Sequence, residues 1–206
     1  MGTTVATNAL LERRGSRTLL LTTSGYKDVL QVGNQSRPDI FDLGIKTRGR
    51  LYEAVEEIDE RVGIYTDKME GSGEVFEGRV EGTVTGENVR VIKEVDLEEV
   101  KAALKRRHDE GFRSVAVVFM HSYLYPAHEV AVGEICADIG YSQITLSHQT
   151  TRMVKIVPRG QTSVASAYLT PSITEYLEGF KEGFGEVRLD EPLSESKTLN
   201  TAYQRN

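Results

Sequence analysis

The feature that most constrains the fold is an amphipathic segment followed at once by an uncharged apolar run. Leu97, Val100 and Leu104 recur at helical spacing after Asp96, a residue type that caps helix N-termini. Residues 114–120 (SVAVVFM) carry no charge, which predicts a strand buried on both faces. A helix leading directly into such a strand is the αβ half of a βαβ unit, so the sequence predicts an α/β fold.

Further elements are predicted on both sides of this unit. The predicted helices span 1–14, 25–30, 96–111, 127–139 and 163–183, and the predicted strands span 17–23, 56–66, 114–120 and 143–147. Thr3 or Thr4 is expected to cap the first helix and Gly15 to end it, and Pro171 is expected to kink or restart the last one. The region 1–184 is predicted to form one domain with a hairpin or loop insertion at 67–95, and 185–206 is predicted to be a disordered tail.

Composition limits the classes of function. A chain of 206 residues with 39% hydrophobic residues can bury one core. The net charge of -6 argues against nonspecific nucleic-acid binding, and no apolar segment is long enough to predict a membrane span. A single cysteine, Cys136, excludes an internal disulfide framework and fits a reducing compartment, so a cytoplasmic protein is expected.

The first helix carries a polar cluster. Thr3, Thr4, Thr7 and Asn8 place hydroxyls and an amide around its N-terminus, where free N–H groups favour an anion such as phosphate or carboxylate. The alternative interpretation is a well-capped helix with polar surface residues.

A loop at 33–39 supplies a second group of candidates. Arg37 can bond two oxygens of a carboxylate or phosphate at once, and Asp39 lies beside it. The alternative is a structural salt bridge from Arg37 to Asp39 or Asp42.

Other candidates follow predicted strands. His121 and Ser122 come after one strand and His148 after the next, and ligands of open α/β sheets bind at the carboxyl ends of strands. Arg159, at the start of the last helix, is a candidate for contact with substrate or a partner domain, with a structural role as the alternative. A metal site at His121 and His128 is a weak prediction, because the two residues are separated by a proline turn. No metal site is therefore predicted.

Three blocks of sequence resemble a known family. They are GTTVATNALLER at 2–13, GNQSRPDIFDL at 33–43 and RMVKIVPRGQTSVASAYLTPSITEYLEGF at 152–180. Their order and spacing resemble the hydantoinase A/5-oxoprolinase family, most closely its eukaryotic 5-oxoprolinases.

The resemblance implies a partial actin-like, sugar-kinase-like domain with a mixed sheet and flanking helices. It implies ATP-dependent opening of a cyclic amide, 5-oxo-L-proline, to L-glutamate in glutathione metabolism, with ATP and Mg as cofactors. It also implies that Thr3, Thr4, Thr7 and Asn8 serve the nucleotide or the ring, and that Arg37 or Arg159 holds the substrate carboxylate. It leaves the catalytic residues unknown.

In the family, a phosphate-binding hairpin precedes the first helix, and this chain begins at that helix. A fragment is therefore expected, inactive alone, that acts as a homodimer or with partner segments of a split enzyme. The alternatives are a family member acting on N-methylhydantoin or a ketone, and a non-catalytic α/β interaction module.

Overall fold

The computed structural model of the protein describes residues 4–34, 41, 44, 49–66, 78–83 and 85–183. Thr3, Arg37 and Asp39 lie outside the described residues, as do the first part of the 67–95 segment and the 185–206 tail. By internal contacts the chain forms two compact units, Met1–Ile173 and Thr174–Asn206. The strands and the candidate site described below belong to the first unit. Within the second, the rings of Tyr176 and Phe180 lie 6.3 Å apart.

The described residues form six helices and seven strands. The helices are α1 (Val5–Leu11), α2 (Val29–Val32), α3 (Leu97–Asp109), α4 (Ala127–Ile139), α5 (Ser147–Thr150) and α6 (Ile156–Gly183). The strands are β1 (Thr18–Thr23), β2 (Ala54–Ile58), β3 (Arg61–Ile64), β4 (Arg79–Gly82), β5 (Asn88–Lys93), β6 (Ser114–Val118) and β7 (Gln143–Leu146). No helix within these residues is both long enough and apolar enough to span a membrane.

A parallel sheet with strand order β2-β1-β6-β7 forms the centre of the first unit. All residues of β1 and β6 are buried, as expected for inner strands covered on both faces. Leu19 and Leu21 pack with Val100 of α3 and Cys136 of α4. Leu20, which points to the other face, packs with α2 and α6. The predicted α/β class is therefore confirmed.

A second, antiparallel sheet has the order β3-β5-β4. The single strand predicted at 56–66 is wrong, because it divides into β2 in the parallel sheet and β3 in the antiparallel one. The chain changes sheets at Asp59 and Glu60, where the Glu60 side chain turns into the interior. The expected mixed sheet is thus divided into one parallel and one antiparallel sheet. Paired β4 and β5 lie in the segment predicted as a hairpin or loop.

Helix ends follow the prediction in the middle of the chain. The Asp96 carboxylate accepts from the backbone N–H groups of Glu98 and Glu99, and Gly140 ends α4 in the left-handed region with φ 99°.

At the first helix the predicted end at Gly15 is wrong, because α1 ends at Leu11. Thr4 precedes the helix but makes no capping hydrogen bond with its side chain, and the alternative cap, Thr3, lies outside the described residues. The left-handed turn falls on Arg13, with φ 56°. Gly15 has a different reason to be glycine, because a Cβ there would lie 2.1 Å from Cε1 of Tyr168.

Two other helix predictions change. The second helix runs over Val29–Val32. It therefore begins later than the predicted 25–30 helix and is shorter. Pro171 lies inside α6, which begins at Ile156 and is assigned as one helix to Gly183, so the helix is not restarted at the proline.

Candidate functional site

Buried polar side chains collect where β1, β6 and β7 end. They are Thr23, Glu60, Ser122, His128, Glu129, Ser147 and Arg159. Charged and polar groups are buried at a cost unless they are hydrogen-bonded, so the partners of each one define what the cluster can do.

Glu129 is the centre of one network. It lies in the first turn of α4 and is fully buried. One carboxylate oxygen accepts from the Phe119 N–H at 2.9 Å and from the Ser147 hydroxyl at 2.6 Å. The other accepts from the His148 N–H at 3.1 Å and from His148 Nδ1 at 2.7 Å. Four donors match the four lone-pair positions of an ionised carboxylate.

His148 is held by this carboxylate through one ring nitrogen. Since Nδ1 donates to Glu129, the neutral ring carries its proton on Nδ1 and leaves Nε2 as an acceptor. No residue in the described part of the chain is hydrogen-bonded to Nε2. The side chain is 15% exposed, against 0% for Glu129. His148 therefore reaches the surface of the cluster while Glu129 does not.

Arg159 braces the same cluster from α6 and is fully buried. Its guanidinium donates to the Ser147 hydroxyl at 3.0 Å, to the Met153 carbonyl at 2.7 Å and to the Phe119 carbonyl at 2.7 Å. Burial lowers the pKa of Arg159, and the charge of Glu129 opposes that shift. The arrangement gives Arg159 a positioning role around the end of β6 and the start of α5.

His121 and Ser122 lie next to this network. The Ser122 and Ser147 hydroxyl oxygens are 3.1 Å apart. His121 has φ 59°, an uncommon conformation for a residue with a Cβ. Its Nδ1 is buried without a hydrogen-bond partner in the described residues. Burial, followed by the charge of Arg159, lowers the pKa of His121, so its ring is neutral near pH 7. A buried, unpaired ring nitrogen can bind a polar ligand atom.

A second network lies on the side of the antiparallel sheet. His128 contacts Glu60 through Nδ1 at 2.8 Å and Glu94 through Nε2 at 2.9 Å. The Thr23 hydroxyl donates to Glu60 and accepts from the Met120 N–H at 2.9 Å. Burial lowers the pKa of His128, but its hydrogen bonds with Glu60 and Glu94 outweigh burial and raise the pKa overall. The two carboxylates therefore favour the charged form of His128, which links α4 to the antiparallel sheet.

The residues considered for a metal site have other partners. Both nitrogens of His128 face carboxylates, and Glu129 accepts four protein donors. In the described ranges, no three His, Cys, Asp or Glu side chains form a group that could hold a metal ion.

The polar residues of the first helix are placed apart from this cluster. Thr4, Thr7 and Asn8 are exposed, and the Asn8 amide donates to the Thr4 hydroxyl at 3.2 Å. Within the described part of the chain, no hydrogen bond joins them to the strand-end cluster. The structure thus brings together His121, Ser122, His148 and Arg159.

Sequence analysis missed the two buried carboxylates and Ser147. Glu129 falls in the predicted 127–139 helix and Glu60 in the predicted 56–66 strand, and neither is assigned a role there. The usable signal was an acidic residue at the start of an otherwise apolar helix: Glu129 is followed by Val130, Ala131 and Val132. Such a carboxylate faces the core and needs buried donors.

The sequence and the fold match known proteins. Residues 1–140 match the model of the hydantoinase/oxoprolinase N-terminal region. The chain is 49% identical over 187 residues to 5-oxoprolinase 1 of Arabidopsis thaliana, covering 90% of this chain and 14% of that protein. It is 46% identical over 191 residues to the 5-oxoprolinase of Dictyostelium discoideum, covering 89% of this chain and 15% of that protein.

A solved structure supports the fold. The ATP-dependent caprolactamase from Pseudomonas jessenii superposes with a TM-score of 0.67 at 24% identity, over 89% of this chain and 24% of that one. At this identity the likeness concerns the fold alone.

Proposed function

Since the chain belongs to the hydantoinase/oxoprolinase family, we propose that it is the corresponding region of a 5-oxoprolinase that uses ATP to open 5-oxo-L-proline to L-glutamate. The observation that carries the proposal is the 49% identity with 5-oxoprolinase 1 over 90% of this chain. The chain spans only 14% of that relative's length, so the reaction is proposed for an enzyme to which this region contributes.

Two other functions were considered from the sequence. One is a family member acting on N-methylhydantoin or on a ketone, and the other is a non-catalytic interaction module. The first is less favoured, because relatives that are 49% and 46% identical to this chain carry the name 5-oxoprolinase. The Nδ1 of His121, which is buried without a partner among the described residues, argues against the second, because a module without a ligand gains nothing from such an atom.

ATP and Mg are proposed as cofactors of the whole enzyme. The described residues of this chain do not by themselves fit a complete site for them: Thr4, Thr7 and Asn8 are exposed, and no group in that part of the chain could hold a metal ion. Thr3, Arg37 and Asp39 remain predicted contacts for phosphate or carboxylate.

The substrate side is better represented in this chain. The proposed substrate, 5-oxo-L-proline, presents one ring N–H, one ring carbonyl and a carboxylate. The neutral His121 ring and the His148 Nε2 are the strand-end atoms suited to such polar groups. We further propose a cytoplasmic location, a place in glutathione metabolism, and completion of the site by a second copy or by partner segments.

A domain exchange tests the function. This chain would replace the matched region of Arabidopsis thaliana 5-oxoprolinase 1, and ATP-dependent release of glutamate from 5-oxoproline would be measured. The expected chimera turns over on the order of once per second, as typical enzymes do. A folded chimera that releases no glutamate contradicts the proposal.

The 206-residue chain serves as the companion sample. Alone, it is expected to release no glutamate. Turnover on the order of one per second would contradict the proposal that this chain supplies only part of the active site. Isothermal titration with ATP–Mg and, separately, with 5-oxoproline distinguishes a surviving half-site from an interaction module that binds neither.

A further inference from the structure

We propose that His148 is the general base of the ring-opening reaction and that Glu129 is its positioning residue. The inference rests on the proposed function, since it assigns a proton acceptor to the same reaction. It is carried by the geometry of one histidine, which has one nitrogen bound to a buried carboxylate and the other without a partner among the described residues.

The first step of the argument is the tautomer. Glu129 accepts from both the backbone N–H and Nδ1 of His148, at 3.1 Å and 2.7 Å. These two bonds fix the plane of the ring and place its proton on Nδ1. A histidine oriented in this way by a carboxylate offers Nε2 as a base, which is the arrangement of general-base histidines.

The second step is position. His148 follows β7, and the parallel pairing of Val117 with Leu146 places the end of β7 beside the end of β6. The carboxyl ends of parallel strands form the ligand side of an open sheet. The His148 side chain is 15% exposed, and no described residue bonds its Nε2, so we place this nitrogen at the ligand edge.

The third step separates the roles of the two residues. Glu129 is fully buried and all four of its lone-pair positions are used by protein donors. It cannot reach a water or a substrate. Ser147 donates to Glu129 and accepts from Arg159, so the carboxylate is itself held in place.

The atoms and protons of the hydrolytic step balance with one water molecule. His148 Nε2 takes one proton from a water molecule as the water oxygen forms a bond to the amide carbon. The amide C–N bond of the substrate ring then breaks, and the same proton passes from Nε2 of His148 to the substrate nitrogen that leaves. One water is consumed, and a carboxyl and an amine are formed.

The first test uses the chain itself with 15N-labelled histidine. Nitrogen chemical shifts of the neutral ring are expected to show the proton of His148 on Nδ1 and none on Nε2. A ring protonated on Nε2, with Nδ1 free, overturns the proposal, because the accessible nitrogen could not then accept a proton.

The second test uses the chimera described above. His148→Asn keeps an N–H that can donate to Glu129 but removes the base, so kcat is expected to fall about 100-fold with little change in KM. His148→Gly should fall similarly and be rescued by added imidazole. His108→Asn is the matched control, because that ring packs edge-on against Tyr141 at 5.3 Å on α3.

The outcomes separate the two proposals. An unsubstituted chimera that is inactive contradicts the proposed function, and the role of His148 falls with it. An active chimera whose His148→Asn variant keeps its kcat overturns the role of His148 alone. A loss of activity in His148→Gly that imidazole does not restore indicates a structural role and also overturns it.

Discussion

Two glutamate–histidine pairs lie at the same edge of the parallel sheet and differ in what the second ring nitrogen meets. In the first, Glu60 bonds Nδ1 of His128 and Glu94 bonds Nε2. In the second, Glu129 bonds Nδ1 of His148 and no described residue bonds Nε2. Glu60 and Glu129 are both almost completely buried.

The difference shows how the same two residue types serve structure or chemistry. A ring between two carboxylates is stabilised as the charged form, which donates from both nitrogens and holds two elements together. A ring with a single carboxylate partner is oriented, yet its other nitrogen stays able to exchange a proton. The partner of the second ring nitrogen, and not the glutamate–histidine pair itself, decides the role of the histidine.

The largest expected effect is the loss of the carboxylate that holds His148. Glu129→Gln puts an NH2 group against N–H or O–H donors and leaves the buried Arg159 without a nearby negative charge. The free energy of unfolding should fall by about 3 kcal/mol, measured by urea denaturation at pH 7.

The control for that variant is Glu134→Gln, an exposed glutamate on the same helix, with an expected change within about 0.5 kcal/mol. A Glu129→Gln variant as stable as the control would show that the two pairs do not differ in the way described.

Much of this arrangement could be predicted from the sequence. The αβ unit, the buried strand at 114–120 and the Asp96 cap follow from local patterns, and the structure confirms them. The family resemblance drawn from three sequence blocks is confirmed by the match over residues 1–140. The position of His148 just after a strand placed it at the ligand edge.

The pairing of the histidines could not be predicted in the same way. Glu60 and His128 are 68 positions apart, and Glu94 is 34 positions from His128, so their contacts depend on how the two sheets meet. Gly15 was assigned to a helix end because sequence does not show the distant ring of Tyr168. Local periodicity carries no information about either contact.

The next effect concerns the hydroxyl that supports the first pair. Thr23→Val removes the donor to Glu60 and the acceptor of the Met120 N–H. Unfolding free energy should fall by about 1–3 kcal/mol in urea denaturation. Thr22→Val is the matched control: the neighbouring Thr22 hydroxyl is buried without a partner in the described chain, so the change should be neutral or stabilising. Equal losses in both variants would contradict the importance of the Thr23 bonds.

A smaller effect is expected from pH. Because the folded pKa of His128 is raised above its unfolded value of about 6.5, its contribution to stability is complete below that value and is lost as pH rises through the folded pKa. A neutral ring donates only one hydrogen bond, so the loss should be about 1–2 kcal/mol. Urea midpoints of the wild type and of His128→Gln, compared from pH 5 to pH 9, should converge at the alkaline end. A constant difference between them would contradict the double link.

The smallest effect is expected at the outer end of that link. Glu94 is 58% exposed and also pairs with Arg79, so solvent screens its interaction with His128. Glu94→Gln should cost less than about 1 kcal/mol at pH 6, with Asp138→Asn on the exposed side of α4 as the control. Its informative consequence is the pH dependence, because removing one of the two groups that raise the pKa of His128 should move the loss of stability to lower pH. If the transition stayed at the wild-type pH, Glu60 alone would hold the proton, and His128 would resemble His148 in depending on a single carboxylate.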